Sequence, residues 1–152
     1  MNDMEIAERC RETMWRDDVA SQDLGISVAL TNPGCAVARF EIRSSMINGH
    51  EVCHGGYIFT LADTAFAFAC NTYNRITLAA SASIEFVRPA RLGDTLVATA
   101  SEEHRGGRTG IYDVIVRNQS DDVVAIFRGR SYATREPIIQ SDTEIIENPK
   151  LV

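Results

Sequence analysis

No stretch of this 152-residue chain approaches the roughly 20 consecutive apolar residues that a membrane-spanning helix needs. The opening residues, Met1 to Arg11, carry Asp3, Glu5, Glu8, Arg9 and Arg11, where a secretory signal would show a basic start and then an apolar run. There is no surplus of positive charge. The net charge is -6, which argues against a nucleic-acid or anionic-membrane partner, because both need a basic surface. A local basic patch for one phosphorylated ligand stays possible. The four cysteines (Cys10, Cys35, Cys53 and Cys70) are scattered with no CxxC pair, as expected of free thiols in a reducing, cytoplasmic compartment. Internal repeats, low-complexity tracts and interdomain linkers are absent too, so residues 1–152 are expected to form one domain. Apolar residues make up 45%, enough for a packed core.

What is present divides into two strand signals, one long helix and a run of further strands. Residues 1–20 are expected to form a helix lying on the main body, with Trp15 as its anchor, and residues 136–152, with Pro137, Pro149 and several acids, a loosely held tail. Leu24 to Leu30 and Cys35 to Ile42 are β-prone and joined by Thr31-Asn32-Pro33-Gly34, a turn signal. From Gly56 to Cys70 the chain is rich in alanine and apolar nearly all round, which predicts a buried helix about 22 Å long. Strands are expected over Ile76 to Val87, Thr95 to His104, Thr109 to Asn118 and Val123 to Thr134. In the third of these, Tyr112, Val114 and Val116 alternate with Asp113 and Arg117. Short connections without intervening helices argue for an antiparallel sheet. The expected class is α+β, with an antiparallel sheet wrapped around one long central helix.

Asp63 is the only charge in that apolar helix. An unpaired buried carboxylate is expensive, so a chain that keeps one either pairs it or uses it. Gly56 lies seven residues, about two turns, before Asp63 on the same helix face. Backbone N–H groups near Gly55 and Gly56 at the helix start suit an oxygen gaining negative charge, and the glycines permit close approach. A carbonyl polarised there and a carboxylate acting as nucleophile or base are the parts that acyl transfer requires. The alternative is an Asp63 paired with an arginine from another segment, or turned to solvent.

Other motifs read more plainly. His50-Glu51-Val52-Cys53-His54 matches the zinc pattern HExxH, but the pattern works only on a helix, and Asn48-Gly49 and Gly55-Gly56 bracket it too closely. No metal is expected. Cys53 and His54 are adjacent, with no third group to orient a thiol–imidazole pair. Gly106-Gly107-Arg108-Thr109-Gly110 lacks the Walker spacing and lysine and reads as a hairpin turn, with Arg105 or Arg108 as the alternative phosphate contact. Arg88-Pro89 ends a strand.

Taken together, Asn48-Gly49-His50, His54-Gly55-Gly56 and Leu61-Ala62-Asp63-Thr64-Ala65 resemble the hotdog-fold thioesterases, and most of all the PaaI group, which acts on phenylacetyl-CoA and its hydroxylated forms. The likeness continues through Ser81 to Phe86, Arg88-Pro89, Gly93 to Leu96 and Phe127-Arg128-Gly129, covering about Leu24 to Ser131. The resemblance implies that Asp63 is nucleophile or general base, that the Gly55 N–H polarises the thioester carbonyl, and that Asn48 and His54 shape the site. It implies that Thr64 lines the site across a subunit interface. It places coenzyme A against the loop from Arg105 through Arg108 to Thr109 and the segment from Arg88 and Pro89 to Asp94, with Gly56 beside the substrate. The implied activity is hydrolysis of an acyl-CoA to a carboxylic acid and free coenzyme A without a cofactor, by a homodimer that assembles into a homotetramer. The rivals are an enoyl-CoA hydratase or dehydratase using His54 and Asp63, and a non-enzymatic acyl-CoA-binding module.

Overall fold

The computed structural model of the chain describes residues 1–140. The expected α+β layout is present. Helices α1 (Asp3–Asp17) and α2 (Val19–Asp23) precede a hairpin of β1 (Ser27–Asn32) and β2 (Cys35–Glu41). The long helix α3 (Gly55–Cys70) follows, then β3 (Thr77–Phe86), β4 (Thr95–Gly106), β5 (Thr109–Arg117) and β6 (Val123–Ala133). The strands form one antiparallel sheet in the order β1-β2-β4-β5-β6-β3, so β1 and β3 are its edges.

The sheet curls round α3 because one strand face is apolar. Tyr112, Val114 and Val116 of β5, and Val124 and Phe127 of β6, are buried against Leu61, Ala65 and Phe66 of the helix. Phe66 stacks at a tilt on Tyr112 and Phe127, with ring centroids 5.6 and 5.8 Å away. It also lies against the bare backbone of Gly129, where a Cβ would stand 2.8 Å from the Phe66 ring. The β4–β5 connection is a two-residue hairpin whose Gly107 has φ +60°, which explains the glycines there.

Two expectations need revision at the chain ends. The N-terminal segment is two helices rather than one, because Asp18 leaves helical geometry and caps α2 through Ser21. Trp15 packs on Phe68 of α3, with centroids 6.2 Å apart. The first tail residues are tied down: the Glu136 carbonyl accepts from Ile76 N–H, and Asn74 Oδ1 accepts from the N–H groups of Ile138 and Ile139. The rest of the expected tail, residues 141–152, lies outside the described residues.

The helix is also less enclosed than its composition suggests. Ile58, Leu61, Ala62, Ala65, Phe66 and Ala69 are buried, but Gly56, Thr60, Asp63 and Ala67 form a stripe that the chain's own sheet leaves partly open. Edge strand β3 is uncovered in the same way. Ala79, Ala82 and Phe86 pair in register with the buried Ser131, Gly129 and Ala125, so they point to the helix side, yet all three are exposed. Leu78, Phe86 and Val87 are 58, 54 and 55% exposed, an apolar edge that needs a cover.

Candidate active site

The start of α3 is organised by His54. Its backbone is extended (φ -59°, ψ 130°), and its Nδ1 accepts the Gly56 N–H at 2.9 Å, an N-cap made by an imidazole. The His54 carbonyl accepts the Tyr57 N–H at 3.0 Å. The first helical N–H, that of Gly55, has no intrahelical partner by geometry and no acceptor among the described residues. One donor at the positive end of a helix is therefore left free, which is the arrangement that binds a developing oxyanion. The Gly56 N–H is occupied by the cap, so of the two N–H groups expected at the helix start only that of Gly55 is free. Because Nδ1 accepts, a neutral His54 ring carries its proton on Nε2.

The preceding loop holds His54 in place. Asn48 Oδ1 accepts from the N–H groups of His50 (2.9 Å) and Val52 (3.3 Å), and the Asn48 N–H donates to the Val52 carbonyl. His50 to Cys53 is thus a turn with Glu51 at φ +62°, not a helix, and the HExxH spacing has none of its metal geometry. Cys53 does not pair with the imidazole. Its Sγ reaches the His54 carbonyl at 3.6 Å, and burial pushes the thiol up to about 11.

Asp63 stands in the open stripe of α3, half-buried, and no cation lies within ion-pair distance among the described residues. Burial raises its carboxyl above the ordinary aspartate value. Of the two alternatives left by the sequence, pairing with an arginine does not occur among the described residues. Thr64, one residue on, turns the other way. It is 8% exposed, and its Oγ1 donates to the Thr60 carbonyl at 2.7 Å. Its hydroxyl keeps its lone pairs as acceptors, and the expected role of Thr64 across a subunit interface is a matter for the assembly.

The residues expected to meet coenzyme A fall into two groups. Gly55, Arg88 and Pro89 line one cleft of about 320 Å³ at the start of α3, together with Ile58, Phe86 and Val87. Phe86 lies over Gly55, with its Cζ 3.0 Å from where a Cβ would be. Arg88 pairs with Asp122 at 3.3 Å on the rim. Arg105, Arg108 and Thr109 line a second cavity of about 550 Å³, which also touches Cys70 at the other end of α3. The 16 residues of α3 separate the two by about 24 Å. Sequence reasoning missed Phe86 and Val87, although they directly precede Arg88-Pro89. It also missed Arg75 and Arg135, which join the second cavity from distant segments and carry no local signal.

Comparison with known proteins fits this geometry. Residues 50–125 match the family described as the thioesterase superfamily. The acyl-coenzyme A thioesterase PaaI of Escherichia coli K12 is 44% identical over 119 residues, which are 78% of this chain and 85% of that protein. The solved structure of the E. coli PaaI protein from the phenylacetic acid degradation operon superposes with a TM-score of 0.85 at 41% identity, covering 88% of this chain and 96% of that one. A Streptococcus mutans protein solved bound to acetyl CoA superposes with a TM-score of 0.70 at 27% identity, covering 74 and 90%.

Proposed function

The chain belongs to the thioesterase superfamily, and from that premise we propose that it is a hotdog-fold acyl-CoA thioesterase in which the Gly55 N–H and the Asp63 carboxylate act together. The observations that carry this reading are one free N–H at the start of α3 and one carboxylate, without an ion-pair partner among the described residues, on the open stripe that α3 presents beyond its own sheet. The N–H polarises the thioester carbonyl, and the carboxylate attacks the acyl carbon or removes a proton from the attacking water. The C–S bond breaks and coenzyme A leaves as the thiol with a proton from the water consumed; in the direct-attack route that water then cleaves the acyl–Asp63 anhydride and restores the carboxylate. Asn48 and His54 hold the Gly55 donor in position through the loop and the cap. An aromatic acyl group of the phenylacetyl type is favoured by likeness to the PaaI protein of the phenylacetic acid degradation operon. No metal or organic cofactor takes part in this scheme.

The catalytic parts are best supplied by two subunits. Asp63 is eight residues from Gly55, about 12 Å along the axis. A carbonyl carbon sits about 4 Å from the N–H that holds its oxygen. A reacting oxygen must come within about 3.5 Å of that carbon. An aspartate side chain is three bonds long and does not close the remaining gap directly. A two-fold dimer does. Strand β3 starts at Thr77, in the larger cavity, and ends at Phe86, in the Gly55 cleft. Antiparallel pairing of two β3 edges covers Leu78, Ala79, Ala82 and Phe86 and runs the two α3 helices in opposite directions. The partner's Asp63 then approaches Gly55, and the partner's Arg105, Arg108 and Thr109 come beside the cleft that holds Arg88 and Pro89. Two such dimers would form the expected homotetramer. All four cysteines are unbridged, which supports a reducing, cytoplasmic compartment.

The test is thiol release from a panel of acyl-CoA esters, with the product acid identified. The reading expects cleavage, with phenylacetyl-type esters among the best. Hydration of an enoyl-CoA without cleavage, or binding of acyl-CoA without turnover, would replace it.

A further inference from the structure

We propose that Glu102 is a positioning residue, which holds the rings of Tyr73 and Tyr112 and through Tyr73 sets the plane of the Arg105 guanidinium. This inference rests on the acyl-CoA reading, in which Arg105 meets the ligand. Glu102 is a carboxylate that the mechanism above does not use, and its side chain is only 23% exposed. Tyr73, Tyr112 and Arg105 line the larger cavity, whereas Glu102 stands behind them and is not part of its wall. Its Oε2 accepts from the hydroxyls of Tyr73 and Tyr112, both at 2.8 Å. Burial and the Glu102 carboxylate hold the Tyr73 phenol up at about 12 and raise that of Tyr112 as well, so at neutral pH both hydroxyls are donors. Oε1 faces the Arg105 Nε at 3.7 Å, too far for a hydrogen bond and near enough to attract the cation. The guanidinium lies 3.6 Å over the Tyr73 ring. A half-exposed arginine keeps its rotamer freedom unless something holds it. Here the carboxylate holds the ring, and the ring holds the cation.

Two backbone features bring this cluster together. Glu102 pairs in register with the buried Tyr112, so it faces the helix side of the sheet. Strict alternation would put Arg105, three residues on, on the outer face. The register instead shifts between Glu102 and His104, and Arg105 comes opposite Gly110, two residues before Tyr112 on the same inner face. This local break in the ladder turns Arg105 to the side where Glu102 and Tyr73 already are. The second feature is Gly34 in the β1–β2 turn, at φ +82°. Its carbonyl accepts the Glu102 N–H at 3.0 Å, and its own N–H donates to Thr72 Oγ1 at 2.8 Å, which ties the turn to the end of α3 beside Tyr73. A Cβ at Gly34 would stand 2.8 Å from Glu102 Oε2 and 2.9 Å from the Tyr73 hydroxyl. The carboxylate and the phenol meet in space that only a residue without a side chain leaves open.

The experiment is a double-variant cycle on phenylacetyl-CoA, run beside the phenylacetyl ester of N-acetylcysteamine, which keeps the thioester and lacks the nucleotide. Arg105→Ala should raise KM for the CoA ester about ten-fold, the size of one lost charge-assisted contact, with kcat nearly constant. Glu102→Ala should raise it by a similar factor, and the double variant no further, because the two residues act as one unit. KM for the truncated ester should respond to neither change. Tyr73→Leu removes the ring under Arg105 and leaves Glu102 paired with Tyr112, and it should give the same rise if Glu102→Ala melts too low to assay. Factors that multiply in the double variant, or equal losses of kcat on both esters, would overturn the inference. The NMR signal of the Arg105 Nε–H, assigned by its loss in Arg105→Lys, reads the positioning without any thioester. It should be sharp in the wild type and broadened or lost in Glu102→Ala and Tyr73→Leu. A signal that ignores both changes rules the positioning role out. If the signal responds as expected while no acyl-CoA is cleaved, Glu102 keeps its role and the acyl-CoA reading falls instead.

Discussion

Replacing Gly55 with proline removes the proposed oxyanion donor and almost nothing else. Gly55 is the first residue of α3, where a proline's missing N–H breaks no helical hydrogen bond and its fixed φ suits the helix. His54 already has the extended backbone that a residue before proline prefers. A Cβ at this position meets the Phe86 ring at 3.0 Å. Alanine makes that same contact and keeps the N–H. Comparing the two variants therefore isolates the hydrogen bond from the bulk. Loss of one oxyanion donor costs about 3 kcal/mol of barrier, or on the order of 10² to 10³ in kcat. Gly55→Pro should lose that much beyond Gly55→Ala, with melting temperatures close to one another. The assay is thiol release under saturating ester, with a thermal melt on each variant. Two variants equally active, or equally impaired, would show that the N–H is not what matters at this position.

Four further outcomes follow from the same structure. If the partner's Asp63 serves each Gly55, then equal amounts of Gly55→Pro and Asp63→Asn chains, refolded together, should recover about a quarter of the wild-type rate, since half the dimers are hybrids with one intact site; each variant alone stays inactive. Burial raises the Asp63 carboxyl, so kcat/KM should fall in acid with an apparent pKa above that of an ordinary aspartate, and the folded state carries a penalty for its charge at neutral pH. Asp63→Asn should therefore melt higher than the wild type at pH 7, and the advantage should vanish below the unfolded-state pKa, where both forms are uncharged. Gly129→Ala drives a methyl to 2.8 Å from the Phe66 ring in the core and should destabilise by about 1 to 3 kcal/mol in urea unfolding.

Much of this arrangement is local and therefore legible in the sequence. The long helix is visible because Gly56 to Cys70 is rich in alanine and apolar nearly all round, with no helix breaker past its first residue, and Asp63 stands out as its only charge. The glycines before it mark the donor end. The alternation of Tyr112, Val114 and Val116 gives the inner face of β5 correctly. What sequence does not reveal is how neighbouring groups share their hydrogen bonds. Gly55 and Gly56 look equivalent until the His54 imidazole takes up one N–H and leaves the other. Thr64 follows Asp63 directly, yet a helix turns it about 100° away and its hydroxyl bonds to the backbone. The open stripe of α3 was hidden for a different reason. Apolar composition does not say how much of a helix its own sheet covers, and this sheet leaves one stripe partly open. Arg75 and Arg135 are 60 residues apart and meet only because β3 and β6 pair.

The most direct test of the central claim is thiol release from phenylacetyl-CoA by Asp63→Asn, a nearly isosteric change that removes only the carboxylate's charge and basicity. A loss of at least about 100-fold in kcat, with substrate binding retained, is the predicted result. Turnover within a few-fold of the wild type would contradict the account and move the chemistry off Asp63.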